Sequence, residues 1–452
     1  MTLPAHGVTP VAAVRIGGAR ARHQRPSPPA GAFLKSLVAF ALTVLYPFHL
    51  LASGRGTVSH PGGINISLGD GVVGLIALLL VFRFAAGAAP LPRFGVNALV
   101  LLVIIGASLA ANAVALTAYF SVMVGMIETL KLLAVILWMV AVFWLTYDDF
   151  PRRFLLFAGT SVALACGFAI MTVLENVLLH VPRPSGPFDN PNIYGNYLAL
   201  NFFLALGVGV LLADRGGDAR LLGQRIRRWL RPVLRLFVLP ALLVGLLATG
   251  SRGALVGFIA GLPFAVPWNA VKRVTIRHVV ALLCGGVVLA LVLAWFFDQH
   301  PFLLKRLSRT SGDDPNVVER LALWRTAFRA LATHPVLGIG YGQFPGYAES
   351  QVRATVTHNT YLSYAAELGL VGIAAFVWLW VSVIRGCWQA KRRTGSSFPA
   401  MLCGFVVASS GQAMFANVDQ FRAPWIAFGL VAALLYHIGR AEPCTPPRQP
   451  AG

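Results

Sequence analysis

The sequence predicts an all-α, polytopic membrane protein with about twelve transmembrane helices and a periplasmic loop domain containing an amphipathic helix. Three observations predict it. Of 452 residues, 57% are hydrophobic and only 12% are charged. A soluble domain carries roughly a quarter charged residues, so a soluble enzyme and a disordered chain are both excluded. The apolar residues also come in continuous runs of about 20, the length of a membrane-crossing helix, and not in the alternating ten-residue segments of a membrane barrel. Finally, 37 Lys and Arg against 16 Asp and Glu give a net charge of +21. In a soluble chain that excess would suggest nucleic acid. Here it follows the loops as cytoplasmic-side charge does, and no nucleic-acid partner is expected.

Taken in order, residues 1–30 lack Asp and Glu and are rich in Pro, Ala, Gly and Arg, so they read as a disordered basic cytoplasmic tail. The run at 31–52 has no small-residue cleavage site behind it and is long enough to span, so it is expected to be a retained helix. Further runs fall at 66–88, 94–117, 119–146, 153–179, 194–213, 235–250, 253–269, 278–297, 358–386, 398–417 and 422–438. The run at 253–269 carries Pro263 and Pro267 and is expected to be kinked or partly re-entrant. Membrane helices therefore occupy 31–297 and 358–438, around a periplasmic loop at 298–357, and 439–452 form a second cytoplasmic tail. With the N-terminus inside, 25 of the Lys and Arg residues fall on inner segments and four in short outer ones. The long loop does not enter the count, because long loops translocate regardless of charge. Both termini are thus expected to be cytoplasmic. The arginine-rich segment 214–235 reads as a topogenic patch on anionic lipid. Cys166, Cys284, Cys387, Cys403 and Cys444 show no CxxC spacing and read as small buried hydrophobes.

Four outer features call for more than anchoring. Arg183 opens RPSGPFDNPN, a proline-rich loop too rigid to continue a helix, which could bind an anion or hold a lipid headgroup. Arg252 sits in TGSRG, directly before an apolar helix whose free N–H groups favour an anion; a snorkelling arginine is the plainer alternative. In the long loop, Asp314-Pro315 is a helix cap and first turn. Val317, Leu321, Trp324, Phe328 and Leu331 share one helical face, with Arg320, Arg325 and Arg329 off it. His334-Pro335 ends that helix, and the glycines of GIGYG at 338–342 suggest a flexible turn. No strand precedes that turn, so it is not a dinucleotide fingerprint. His358 opens the next apolar run. A histidine beside arginines tends to stay neutral, which suits a general base.

No HExxH, no His pair at i, i+4 and no DxD in the first outer loop occurs, so metal-free chemistry is expected, with arginines in the place of a cation and no cofactor. Within the apolar runs, Glu128 and Lys131 read as a self-compensating pair, and Glu175 and Glu367 lie in the fifth and tenth runs.

In this order, Arg183 in RPSGPFDNPN, Arg252 in TGSRG, RLALW at 320–324 leading to HPVLGIGYGQF, and HNTYLSYAAELGLVG from His358 resemble the O-antigen ligase family of bacterial inner-membrane glycosyltransferases. The resemblance covers about 180–372. It implies transfer of a polysaccharide from undecaprenyl pyrophosphate to a lipid A–core sugar, in lipopolysaccharide synthesis, at a site facing the periplasm. By that analogy Arg183, Arg252 and Arg320 would bind the pyrophosphate and His358 would act on the acceptor hydroxyl, with Asp419 as a group that could orient its ring. Polysaccharide polymerases and protein O-glycosylating ligases of the same superfamily share much of the pattern. A twelve-helix secondary transporter is the rival of a different class, against which stand the long outer loop and the lack of an internal repeat.

Overall fold

The computed structural model describes residues 31–45, 68–85, 90–115, 119–181, 183–188, 190–213, 224–266, 315–349, 351–352 and 355–441, with the single positions 294 and 298. Those residues form α1 (Gly31–Leu45), α2 (Leu68–Ala85), α3 (Gly95–Ala115), α4 (Val122–Thr146), α5 (Phe150–Leu178), α6 (Pro191–Ala213) and α7 (Gln224–Val233). A π-helical turn, Leu234–Val238, leads into α8 (Leu239–Ala248), followed by α9 (Arg252–Ala265), α10 (Pro315–Thr333), α11 (Phe344–Glu349), α12 (Thr360–Thr394), α13 (Phe398–Gln412) and α14 (Arg422–Ala441). The described residues contain no strand.

Seven helical stretches are long and apolar enough to cross a membrane, namely α3, α4, α5, α6, the Arg228–Ala248 stretch, α12 and α14. Four shorter apolar helices, within α1, α2, α9 and α13, complete the bundle. Every expected apolar run except 278–297 coincides with one of these helices; that run, apart from position 294, lies outside the described residues, as do 1–30 and 442–452, while the last helix continues to Ala441, past the expected start of the second tail. Leu75, Leu78, Leu79, Val96, Leu99 and Val103 are exposed on α2 and α3. An apolar surface of that kind belongs against lipid. The interior is built on α14, where Trp425, Phe428, Leu430, Val431 and Leu434 are all buried.

Two backbone devices position the site. The first is the approach of α9 to α13. Gly253, Gly257 and Gly261 recur every four residues, and a Cβ at Gly257 would stand 2.2 Å from the Ala408 carbonyl oxygen. Small residues at this spacing let membrane helices touch backbone to backbone. Pro263 is accommodated inside α9, which stops at Ala265 with Val266 extended before Pro267.

The second device is a break in α12 at Gly369, whose φ is 66°. The segment after α10 enters the break. Ile339 N donates to Ala366 O at 3.0 Å, Gly340 N to Glu367 O at 3.0 Å and Leu370 N to Pro335 O at 2.8 Å. From α3, Ser108 Oγ donates to Leu337 O at 2.6 Å and Asn112 Nδ2 to Gly338 O at 3.0 Å. Irregular backbone inside an apolar bundle persists only where its polar groups are satisfied in this way. The glycine-rich turn expected to be flexible is therefore a buried, hydrogen-bonded insertion, with Gly338, Ile339, Gly340 and Tyr341 all buried.

The loop helix also differs from expectation. α10 begins at Pro315 and ends at Thr333, as its proline and His334-Pro335 signals predicted, but it is Leu323, Ala327 and Ala330 that are buried. Leu321 and Phe328, on the predicted apolar face, are exposed. The packed face includes two alanines, which a hydrophobic stripe does not reveal.

The two ends of the bundle differ in kind. At one end Asp148 receives Lys35 Nζ at 2.8 Å and Arg153 Nε at 3.0 Å, tying the start of α1 and α5 to the end of α4. At the other end the N-termini of α6, α9 and α12 gather around the C-terminus of α13.

Candidate functional site

Gln412, the last residue of α13, is the hub of that second end. Its Nε2 donates to the Asn192 carbonyl at 2.9 Å, and its Oε1 accepts from Asn196 Nδ2 at 2.7 Å. Asn192 in turn accepts from Ser251 Oγ at 2.8 Å. Ser251 caps α9 by accepting from Ala254 N, so Arg252 is the first helical residue behind a fixed cap, and it is half-buried. The N-termini of α6 and α9 are thus tied to one another and to α13.

Arg183 is half-buried in the loop leading into α6. That loop is held by aromatic packing, as Phe188 lies 5.8 Å from the Tyr194 ring and 5.1 Å from Tyr197, and the Tyr194 hydroxyl shares a 2.8 Å hydrogen bond with Thr172.

His358 reaches the same end through α12. Thr360 N donates to Ala413 O and Thr360 Oγ1 to Ala416 O, both at 2.8 Å, while Asn359 caps the helix by accepting from Leu362 N at 3.2 Å. His358 itself adopts a left-handed backbone with φ 53°. For a residue that is not glycine this is an uncommon, strained conformation of the kind held in place at functional sites. α10 closes over it, with Trp324 Nε1 donating to Thr357 O at 3.1 Å. Burial holds the His358 imidazole below its ordinary pKa, the Arg320 charge adds to that effect, and Glu319 opposes it. Arg320 lies on the side of α10 that carries Leu323 and Ala327, and it is half-buried within electrostatic reach of His358, whereas Arg325 and Arg329 are exposed.

Arg183, Arg252 and His358 therefore share the end of the bundle defined by the α13 C-terminus, and α10 brings Arg320 to His358. The converging N-termini of α6, α9 and α12 add the positive ends of three helix dipoles. Such an end can hold an anion and keep a neutral imidazole at its edge.

Asp419 is placed differently from the orienting role considered for it. Its Oδ2 accepts from the Tyr341 hydroxyl at 3.0 Å, and its carbonyl accepts from Trp425 Nε1 at 2.7 Å. Burial pushes the Asp419 carboxyl up to about 6, against the Tyr341 hydrogen bond and with Glu128 adding to the rise. Around the inserted turn stand two further carboxylates. Glu367 Oε1 accepts from Phe344 N at 3.0 Å. Glu128 receives Lys131 Nζ at 2.6 Å, the pair expected from sequence, and also Gln420 Nε2 at 2.5 Å. Among the described residues no group of three or more His, Cys, Asp and Glu side chains is arranged to hold a metal ion.

Two features carried little sequence signal. Tyr341 stands between two glycines, yet its partner Asp419 is 78 residues away. Asp70 accepts from Arg422 Nε at 2.8 Å and from Trp138 Nε1 at 2.7 Å, joining the starts of α2 and α14 to α4.

Residues 236–377 match the family model described as O-antigen ligase. Over that segment the chain is similar to the O-antigen ligase family. The matched stretch runs from the π-turn before α8 to the middle of α12, so it contains Arg252, Arg320 and His358, and also the inserted turn and the break at Gly369. Arg183 and Asp419 fall outside it. No curated protein matches the chain. The matched segment and the apolar helices together point to a multi-pass membrane protein.

Proposed function

We propose that this protein is a ligase of lipopolysaccharide synthesis in the bacterial inner membrane, joining a polysaccharide carried on undecaprenyl pyrophosphate to a sugar hydroxyl of lipid A–core. Both termini are cytoplasmic in this reading, as the charge count over short loops requires, and the arginine–histidine end faces the periplasm. The acceptor oxygen attacks the anomeric carbon of the donor, and the bond from that carbon to the pyrophosphate oxygen breaks. The hydroxyl proton passes to the neutral His358 ring. The departing pyrophosphate carries its charge away onto Arg252, Arg320 and Arg183, which neutralise it in the way planar guanidinium groups grip phosphate oxygens.

The observation that carries this reading is the pairing of a strained, half-buried His358, held neutral, with Arg320 at the bundle end that also holds Arg252 and Arg183. Preorganised positive charge where negative charge develops is the largest single contribution to many transfer reactions. The backbone beside His358 is fixed by the Asn359 cap and the Thr360 bonds, while Asp419 is bonded to Tyr341 of the inserted turn.

Reconstitution tests the reaction. Purified protein in vesicles with a lipid-linked polysaccharide and lipid A–core is expected to yield the joined glycolipid, and to leave the donor unchanged when lipid A–core is omitted. Lengthening of the donor without acceptor would instead make it a polymerase, and glycosylation of an added acceptor protein would make it a protein O-glycosylating ligase.

A further inference from the structure

At the end of the bundle opposite the arginines, the structure holds a cavity of about 270 Å³ between α9, α12 and α13. Pro263 and Phe264 close one side, Cys387, Trp388 and Lys391 of α12 another, and Cys403 of α13 the third. Lys391 is roughly 33 Å along α12 from the break at Gly369 at 1.5 Å per residue, so this space is separate from the His358 site, which lies beyond the break.

Its chemistry is divided by depth. The walls are apolar, with both thiols buried at 1% and 5% exposure. The mouth is cationic, because Lys391, Arg392 and Arg393 occupy the last turn of α12. Trp388 is 51% exposed between the two zones, with Lys391 Nζ 5.5 Å and the Arg392 guanidinium 5.6 Å from its ring. A tryptophan flanked by cations is the arrangement that marks the headgroup level of a bilayer. α9 ends beside the cavity, at Ala265.

A soluble anion would find no polar wall here, and a neutral lipid would bring no charge complementary to Lys391 and Arg392 at the mouth. We propose that the cavity takes one acyl chain of an anionic phospholipid of the surrounding bilayer, with its phosphate on Lys391 and the neighbouring arginines. Basic pockets between membrane helices bind anionic headgroups on this principle. Cys387 and Cys403 then lie beneath the bound chain, where occupancy shields them.

The two thiols are also the reporters. Full-length protein with Cys166→Ser, Cys284→Ser and Cys444→Ser is purified in detergent, and alkylation of Cys387 and Cys403 by N-ethylmaleimide is followed by mass. Added phosphatidylglycerol is expected to slow alkylation about tenfold at ten times its half-protecting concentration, while phosphatidylcholine leaves it nearly unchanged. Lys391→Gln should raise the half-protecting concentration about fivefold, the effect of one cation near a charged surface. Ala400→Phe, which fills the cavity, should shield both thiols without lipid and abolish the response. Equal protection by phosphatidylcholine, stronger protection by undecaprenyl phosphate than by phosphatidylglycerol, or thiols already unreactive in lipid-free detergent would each overturn the proposal.

Discussion

Two glycine-bounded turns stand at the same end of the bundle and have opposite characters. The turn at 249–253 ends in a capped helix start and leaves Arg252 half-buried. The turn at 338–342 is pushed into the break in α12, and its Tyr341 is 2% exposed and bonded to Asp419. Glu128, Glu367 and Asp419 surround the second turn; the first is flanked by the amides and hydroxyls of Asn192, Ser251 and Gln412. The contrast separates two tasks. The first turn is fixed by a helix cap and stays half-buried, as the donor-binding role proposed for Arg252 would need, whereas the turn that holds a broken helix together is buried. Substitutions in the two turns should therefore fail in different ways.

The largest effect is expected at the enclosed turn. A Cβ at Gly369 would stand 2.3 Å from the Val336 carbonyl oxygen, on a backbone whose positive φ already disfavours side chains. Gly369→Val should prevent the insertion, and size-exclusion chromatography in detergent should show little monodisperse protein. If that variant behaves like wild type in both folding and transfer, the insertion is not a structural requirement.

At the open turn, folding should survive and donor binding should not. Arg252→Ala removes a charge-assisted contact to phosphate, worth about 1.5–3 kcal/mol, so affinity for the lipid-linked donor should fall roughly 10- to 150-fold with an unchanged melting temperature. Arg252→Lys should restore only part of it, because the planar fork is lost. Full activity of the lysine variant would return Arg252 to a snorkelling role.

A smaller effect tests the link between Arg320 and His358. Protonation of His358 removes the base, so transfer should fall as the pH drops through its pKa, which lies below the ordinary 6.5. Arg320→Gln deletes the charge that disfavours the imidazolium, so the acid limb of the rate profile should move to higher pH. A limb that stays in place would mean that burial alone sets the ring's state.

The smallest effect on transfer is expected at Asp419. Its folded pKa, about 6, lies above the ordinary 3.8. Its contribution to stability is therefore complete below pH 3.8 and is lost as the pH rises through 6. Asp419→Asn keeps an acceptor for Tyr341 and removes the buried charge, so it should melt higher than wild type at pH 8, with the gap closing toward pH 4. The full difference is on the order of 2–3 kcal/mol by the size of the shift. A variant less stable at pH 8 would show that the charge itself is needed.

What the sequence made legible was local. Apolar runs located the helices, Pro315 and His334-Pro335 bounded α10, and TGSRG marked a cation at a helix start. The face on which α10 packs was not legible, because Ala327 and Ala330 fill a tight contact while the larger Leu321 and Phe328 face outward. Nor was the depth of GIGYG, since glycines report that the backbone must turn and not what surrounds it. The close packing of Gly253, Gly257 and Gly261 against α13 is likewise seen only in the structure. The approach of Arg320 to His358 depends on the seating of α10 through Trp324 and Thr357, a long-range event that no window of sequence contains.

The central claim is that the arginines hold the donor while His358 moves the proton, and one paired measurement tests it. His358→Ala, measured for transfer and for equilibrium binding of the undecaprenyl-pyrophosphate-linked donor, should lose about 10²- to 10⁴-fold in turnover, the usual worth of a general base, with donor affinity close to wild type. If donor binding falls as far as turnover, His358 is a phosphate ligand alongside Arg320 and Arg252, and the division of labour proposed for this end of the bundle is wrong.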